Sequence, residues 1–225
     1  MRKIRLVEVR SELAAGTRGA SMGIDAMKVA SLGKHSNFFT RFEPVNVQDE
    51  NNMLFQEPKF PFAKYGEGVY TVVNRVSDTI AALRNEQLFP IVLAGDHSTA
   101  AGTIAGIKKA DPNLRLGVIW IDAHADLHSP YTSPSGNMHG MPLAIATAID
   151  NEECEQNDIE EETEALWERI KQVGGNGPKI SPSDLVFIGV RDTEGPEDFL
   201  IKKHGIRNFK TDELNQKGVK QVSAE

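Results

Sequence analysis

Long apolar runs are the feature that most constrains how this chain can fold. They cover residues 88–94, 114–121 and 185–190, and a shorter run covers residues 4–9. A strand that is buried on both faces of a parallel sheet has such a run, because neither of its faces meets water. Segments with helical spacing separate the runs. The sequence therefore predicts an α/β fold, a three-layer α-β-α sandwich with a mainly parallel sheet.

Apolar residues at steps of three and four predict the helices of the outer layers. The clearest pattern covers residues 66–87, and others cover 99–109, 143–149 and 163–173. Ser98 is a plausible N-cap of the second helix. A last helical pattern begins at Thr211 and continues to the end of the chain. Residues 37–62 contain three prolines and no clear period, so we expect irregular structure there.

Composition limits the classes of protein to which the chain can belong. The 225 residues suffice for a single domain, residues 1–225, and the formal net charge of −7 argues against a nucleic-acid partner. Eight acidic residues and no basic one lie between positions 152 and 164, which we interpret as a solvated surface segment. One cysteine and the lack of a long apolar segment predict a cytoplasmic protein without disulfides and without a membrane partner.

Residues that could bind a metal follow the apolar runs. His97 comes shortly after one run, and Asp122, His124 and Asp126 follow the next at alternate positions. Ligands of α/β proteins bind beyond the carboxyl ends of the strands, and alternate residues of an extended chain project from one face. We therefore predict that these four residues form a metal site. The alternative is a set of surface polar residues that end two strands.

The types of ligand in this predicted site indicate which metal it would bind. Carboxylates and imidazoles without a thiolate suit Mn, Zn, Fe or Ni, and an oxygen-rich set favours Mn. Neighbouring carboxylates also suggest two ions that share one aspartate. Two ions require more protein ligands than four, and Asp96, Asp192 and Glu194 are candidates by position.

A loop rich in glycine and proline, residues 133–142, follows the predicted metal site. Ser135 and Asn137 could form hydrogen bonds with a polar substrate. His139 could act as a general acid or base near neutral pH. The alternative for His139 is a surface histidine without a catalytic role.

Together these residues resemble the ureohydrolase family, which includes arginase, agmatinase and formimidoylglutamase. Residues 95–98, 122–126, 135–142 and 188–192 carry the resemblance, and the Ser-Gly-Asn loop is similar to that of arginase. The resemblance implies the three-layer fold of that family and a pair of Mn²⁺ ions as cofactor. His97, Asp122 and Asp126 would bind one ion. Asp122 and His124 would bind the other, so that Asp122 bridges the pair.

The resemblance also implies an activity. A hydroxide that bridges the ions would attack the guanidinium carbon of L-arginine, and the intermediate would collapse to L-ornithine and urea. His139 would carry a proton to the leaving amine, and Glu197 would lie in the substrate pocket. Ser135 and Asn137 would contact the α-carboxylate. Assembly into a homo-oligomer, a trimer or a hexamer, is a further expectation from the family.

The sequence departs from the arginase pattern in three places. His128 replaces an asparagine that contacts the α-carboxylate, and Glu194 replaces an aspartate near the α-amino group. A later S-x-D-x-D segment, which carries two further metal ligands in the family, has no counterpart before Glu225. We therefore expect the arginase-like domain to be incomplete at its C-terminus and its sheet to lack its last strands.

These departures leave two other functions open. The substrate could be another guanidino or formimino compound, such as agmatine, a guanidino acid or formiminoglutamate. Alternatively, the chain could be a shortened, non-catalytic homologue that binds metal.

Overall fold

The computed structural model describes residues 3–225 of the chain. Its strands are β1 (Ile4–Val9), β2 (Pro44–Val47), β3 (Phe89–Ala94), β4 (Val118–Ile121), β5 (Leu185–Ile188) and β6 (Arg207–Phe209). Its helices are α1 (Gly23–Gly33), α2 (Phe38–Arg41), α3 (Gly66–Asn85), α4 (Thr99–Ala110), α5 (Pro142–Thr147), α6 (Glu161–Lys171), α7 (Gly195–His204), α8 (Thr211–Lys217) and α9 (Val219–Val222). Within the described range, no helix has both the length and the apolar character needed to cross a membrane.

All the strand pairs are parallel, as the apolar runs predict. β1 lies between β2 and β3 in one sheet, and β5 lies between β4 and β6 in another. In register, Val9 pairs with Ala94, and Ile121 pairs with Ile188. The predicted three-layer α/β fold is confirmed, although the described strands form two three-stranded sheets instead of one continuous sheet.

β3 and β4 each have one edge that pairs with no other described strand. Apolar side chains on these strands are unusually exposed, with values of 49% for Phe89, 69% for Ile119 and 75% for Ile121. Ile119 and Ile121 are alternate residues of β4 and project from one face of the strand, so this face of β4 is open to solvent in the described chain. The carboxyl ends of β3 and β4 nevertheless approach each other, since His97 after β3 contacts Asp122 after β4.

Three groups of buried side chains hold the layers together. One packs α3 against the sheet of β1 and includes Val7 and Ile80. Another joins β5 to α5 and α7 and includes Phe187 and Leu200. The third lies among α3, α4, α5 and α6 around Trp167, which is fully buried. The sheets are therefore held in place mainly by helices that contact one another.

Several sequence-based expectations are wrong in detail. Residues 37–62 are not wholly irregular, because they contain α2 and β2, and β2 is too short for a period to be visible. Ser98 is not a side-chain N-cap of α4, since its hydroxyl group donates to Asp96. The last helical pattern does not continue unbroken, because Gly218, with φ of +75°, separates α8 from α9. The sequence reading also missed α1, α7 and β6.

A close approach of α3 and α4 fixes the helix that follows His97. A Cβ atom on Gly102 would lie 2.6 Å from the carbonyl oxygen of Val73, and one on Gly106 would lie 2.6 Å from Cβ of Ile80. Both distances are shorter than van der Waals contact, so a larger residue would force the helices apart. The two glycines therefore position α4, and with it the chain at the carboxyl end of β3.

We expect Gly106→Ala to lower the free energy of unfolding by about 1–3 kcal/mol, because the added methyl group overlaps Ile80. Gly33→Ala is the matched control. It also replaces a helical glycine, but the new Cβ meets no atom within 4 Å. Alanine favours a helix over glycine, so this control should be neutral or slightly stabilising. Urea denaturation measures both variants, and unchanged stability of Gly106→Ala would contradict the packing described above.

Candidate metal centre and substrate pocket

The carboxyl ends of β3 and β4 bring three of the predicted metal ligands together. The ring of His97 stacks on Trp120 of β4, with centroids 4.4 Å apart and planes at 14°. Nδ1 of His97 lies 3.2 Å from Oδ2 of Asp122 and 2.7 Å from Oδ2 of Asp126. One ligand atom from each of His97, Asp122 and Asp126 therefore lies within 4.8 Å of the other two. Trp120, which orients the imidazole, carried no signal in the sequence beyond its place in an apolar run.

Asp126 is the buried member of this cluster. It is 5% exposed, and its φ of +52° is a left-handed conformation that costs energy for a residue other than glycine. Among the described residues, the one polar partner of its buried Oδ2 atom is Nδ1 of His97, 2.7 Å away. A buried carboxylate oxygen in this state is unfavourable unless a cation compensates it. The arrangement of oxygen and nitrogen donors therefore fits a bound metal ion.

His124, the fourth predicted ligand, lies on the other side of Asp122. Its Nδ1 atom is 3.5 Å from Oδ1 of Asp122, and its Nε2 atom is 3.4 Å from Oδ2 of Asp192. Residues 122–124 bend and Asp126 has a left-handed backbone, so residues 122–126 do not form the one extended segment that the sequence predicts. Instead, the two oxygens of Asp122 approach two different histidines.

The carboxylates around His97 favour a positive charge on its imidazole ring. Burial of the imidazole opposes its protonation. The close contact with Asp126 and the charges of Asp126, Asp122 and Asp96 outweigh that effect and raise the pKa of His97 above its ordinary value. A group of carboxylates that stabilises an imidazolium in this way can stabilise a divalent cation in its place.

Asp96 is a structural residue and not a candidate ligand in this arrangement. Its carboxylate accepts hydrogen bonds from the Ser11 hydroxyl group at 3.1 Å, from the Ala14 backbone N–H at 3.3 Å and from the Ser98 backbone N–H at 3.0 Å. The carbonyl oxygen of Ala14 in turn accepts a bond from the backbone N–H of His139 at 3.3 Å. Asp96 thus connects the loop after β1 to both His97 and the loop of His139. No pattern in the sequence indicated the part played by Ser11 and Ala14.

A pocket beside this cluster contains the other predicted site residues. Among residues 3–225, no lysine or arginine lines this pocket, so its charged groups in that range are carboxylates and imidazoles. The lining residues are His124, Asp126, His128, Ser133, Pro134, Ser135, Asn137, His139, Gly140, Asp192, Glu194 and Glu197.

Close packing fixes the loop that carries Ser135, Asn137 and His139. Gly136 has φ of +70°, and a Cβ atom there would lie 1.9 Å from the carbonyl oxygen of Pro61, so only glycine fits. The Ser135 hydroxyl group accepts a hydrogen bond from the backbone N–H of Asn137 at 3.2 Å. His139 is exposed, and its side chain lines the pocket.

The remaining predicted residues, His128, Glu194 and Glu197, form a second cluster in the same pocket. Nε2 of His128 contacts a carboxylate oxygen of Glu194 and lies 3.6 Å from Oε2 of Glu197. Nδ1 of His128 lies 3.1 Å from the Thr132 hydroxyl oxygen, a partner that the sequence reading missed. Burial raises the pKa of Glu197, although the charge of His128 and hydrogen bonds from Leu127 and Glu194 oppose the rise.

Comparison with known proteins shows what this chain is similar to. A model described as the Arginase family matches residues 2–225. The arginase of Brevibacillus brevis is 33% identical over 230 residues, an alignment that covers 100% of this chain and 69% of the relative. The arginase of Bacillus subtilis (strain 168) is 31% identical over 225 residues, with coverage of 99% and 69%.

Solved structures agree with these sequence matches. The arginase of Entamoeba histolytica in complex with L-ornithine superposes with a TM-score of 0.81 at 28% identity, covering 99% of this chain and 70% of that chain. The native arginase of Bacillus caldovelox gives a TM-score of 0.78 at 30% identity, covering 100% of this chain and 70% of that chain. Because the family model matches residues 2–225 and these relatives match nearly all of the chain, the chain belongs to the arginase family of ureohydrolases.

Proposed function

We propose that the chain catalyses the Mn²⁺-dependent hydrolysis of the guanidino group of L-arginine to L-ornithine and urea. The observation that carries this proposal is the cluster of His97, Asp122 and Asp126, which borders a pocket lined by His139. Support also comes from the relatives, which are arginases, and from the structure of one of them in complex with L-ornithine.

Two ions would be held on the two sides of Asp122. His97 and Asp126 are next to Oδ2 of Asp122, and His124 is next to Oδ1. Asp192, 3.4 Å from His124, is a further oxygen donor on the second side. When bound, a pair of Mn²⁺ ions supplies a hydroxide nucleophile at neutral pH.

His139 would move a proton in this reaction. Its imidazole lines the pocket, and imidazole is the side chain most often used as a general acid or base. It would donate that proton to the nitrogen that leaves the guanidinium carbon. Ser135 and Asn137, on the same loop, would bind the α-carboxylate through a hydroxyl and an amide donor. His128, Glu194 and Glu197 line the pocket beside them and would contact the amino-acid end of the substrate.

The proposal extends to the metal, the assembly and the location of the protein. Manganese is expected because oxygen donors dominate the cluster. A trimer or hexamer of single-domain chains and a cytoplasmic location are expected from the resemblance to the family. Elemental analysis of the purified protein, analytical ultracentrifugation and cell fractionation test these three expectations.

Product release across a set of substrates tests the substrate assignment. The purified chain with Mn²⁺ is offered L-arginine, agmatine, guanidino acids and formiminoglutamate, and urea or formamide is measured. We expect the highest kcat/KM with L-arginine. A higher value with another compound would transfer the assignment to that compound, and His128 and Glu194 would be the residues to examine first. Binding of Mn²⁺ without turnover of any compound would favour the non-catalytic homologue.

Replacement of His139 tests the proton-transfer step. We expect His139→Asn to lower kcat by roughly 10²- to 10⁴-fold with little change in KM, because a general acid is lost while the binding groups remain. His35→Asn is the control, since His35 is exposed and its φ of +52° suits asparagine. Initial-rate kinetics measure both variants, and a kcat of His139→Asn equal to that of the control would exclude His139 as the proton donor.

A further inference from the structure

The loop after β1 contacts the side chain of Asn137 in the pocket wall. A Cβ atom on Gly16 of this loop would lie 2.3 Å from Nδ2 of Asn137 and 2.8 Å from its Cγ. We propose that Gly16 is a positioning residue, which holds the amide of Asn137 in place for ligands that carry an α-carboxylate. The inference rests on the proposed function, in which Asn137 binds that carboxylate, and it adds a residue on which the preference for the carboxylate depends.

The close contact is possible because Gly16 has no side chain. Carbon atoms in contact lie roughly 3.5–4.0 Å apart, so a larger residue at this position would have to displace the amide of Asn137. Gly16 also has φ of +70°, a left-handed conformation that glycine adopts without steric cost. Glycine is therefore favoured at this position both by the backbone and by the contact with Asn137.

Hydrogen bonds fix the loop on both sides of Gly16. On one side, the backbone N–H of Ala14 donates to the carboxylate of Asp96 at 3.3 Å. On the other side, the backbone N–H of Gly19 donates to Oε2 of Glu12 at 2.9 Å, and this carboxylate is buried. An amide at the end of a side chain can rotate more easily than such a loop can move. A Cβ atom on Gly16 would therefore displace the amide that it meets and leave the loop in place.

Packing against Gly16 leaves the polar atoms of Asn137 available to a ligand. Asn137 is half-buried, and in the described part of the chain its backbone N–H, not its side-chain amide, donates to the Ser135 hydroxyl group. A side-chain amide has two N–H donors. No lysine or arginine among residues 3–225 lines the pocket, so a carboxylate there depends on amide, hydroxyl and imidazole donors. The position of the Asn137 amide therefore affects how tightly a carboxylate binds.

A role of Gly16 in the shape of the loop alone leads to a different expectation. In that case Gly19, which lies in the same loop and has φ of +104°, would be equally sensitive to substitution. A Cβ atom on Gly19 would meet only Cε of Met22 among the described residues, at an ordinary distance of 3.5 Å. Gly19→Ala is therefore the matched control, because it strains the backbone of the same loop without touching the amide of Asn137.

Calorimetric titration of the whole chain, with Mn²⁺ present, tests the proposal with two ligands. L-ornithine carries the α-carboxylate, and 1,4-diaminobutane is the same diamine without it. We expect Gly16→Ala to weaken binding of L-ornithine by roughly 10- to 100-fold, because the hydrogen bond that is lost goes to a charged group. Binding of 1,4-diaminobutane should not change. Gly19→Ala should bind both ligands as the unmodified chain does.

A second pair of variants shows whether Gly16 acts through the amide. Asn137→Ala removes the atoms that a Cβ atom on Gly16 would overlap, so the addition of Gly16→Ala to it should cost no further affinity for L-ornithine. Gly16→Asn gives the same test with less backbone strain, because asparagine is more often found in the left-handed region. It remains informative if Gly16→Ala does not fold. Circular dichroism establishes that each variant is folded.

The proposal would be overturned if the folded Gly16 variants bound L-ornithine as tightly as the Gly19→Ala control does. Equal weakening of both ligands, a further loss in the double variant or an unmodified chain that does not bind L-ornithine would also overturn it. Urea release from L-arginine is measured separately. Binding of L-ornithine without urea release would reject the proposed function and leave the role of Gly16 intact. Urea release with an unchanged affinity of Gly16→Ala for L-ornithine would reject only the role of Gly16.

Discussion

Asp126 holds a buried carboxylate just beyond the end of β4, where Oδ2 lies 2.7 Å from Nδ1 of His97 and has no other hydrogen-bond partner within the described chain. Its left-handed backbone adds a local cost, with φ of +52°. Neither feature stabilises the fold by itself. Both are understandable if the carboxylate is held where a cation will compensate it. His97 and Asp122 lie beside this carboxylate, and His124 lies on the other side of Asp122.

The surrounding scaffold holds these groups mainly through backbone contacts. Asp96 accepts bonds from Ser11, Ala14 and Ser98, and so fixes the loop after β1 against the end of β3. Gly136 allows the pocket loop to pass close to the carbonyl oxygen of Pro61. The cluster of His97, Asp122 and Asp126 and the pocket are therefore positioned by the same few loops. A substitution that shifts one of these loops is therefore expected to disturb both the cluster and the pocket.

Much of this arrangement could be predicted from the sequence. Long apolar runs predict the parallel strands, and the polar residues that follow these runs predict where the site lies. β1 was predicted with its observed bounds, Ile4–Val9, and the helix over residues 66–87 corresponds to α3. β2 was missed because four residues give no period. The contacts of Thr132 with His128 and of Trp120 with His97 depend on tertiary packing, which spacing along the chain does not encode.

In the function proposed above, Asp122 would hold metal ions on both of its sides, at the ends of β3 and β4. Anomalous diffraction at the manganese edge, from crystals of the chain grown with Mn²⁺, tests it most directly. The account predicts one peak between Asp122, His97 and Asp126 and another between Asp122 and His124. Crystals saturated with Mn²⁺ that show no peak within bonding distance of Asp122 would contradict the account.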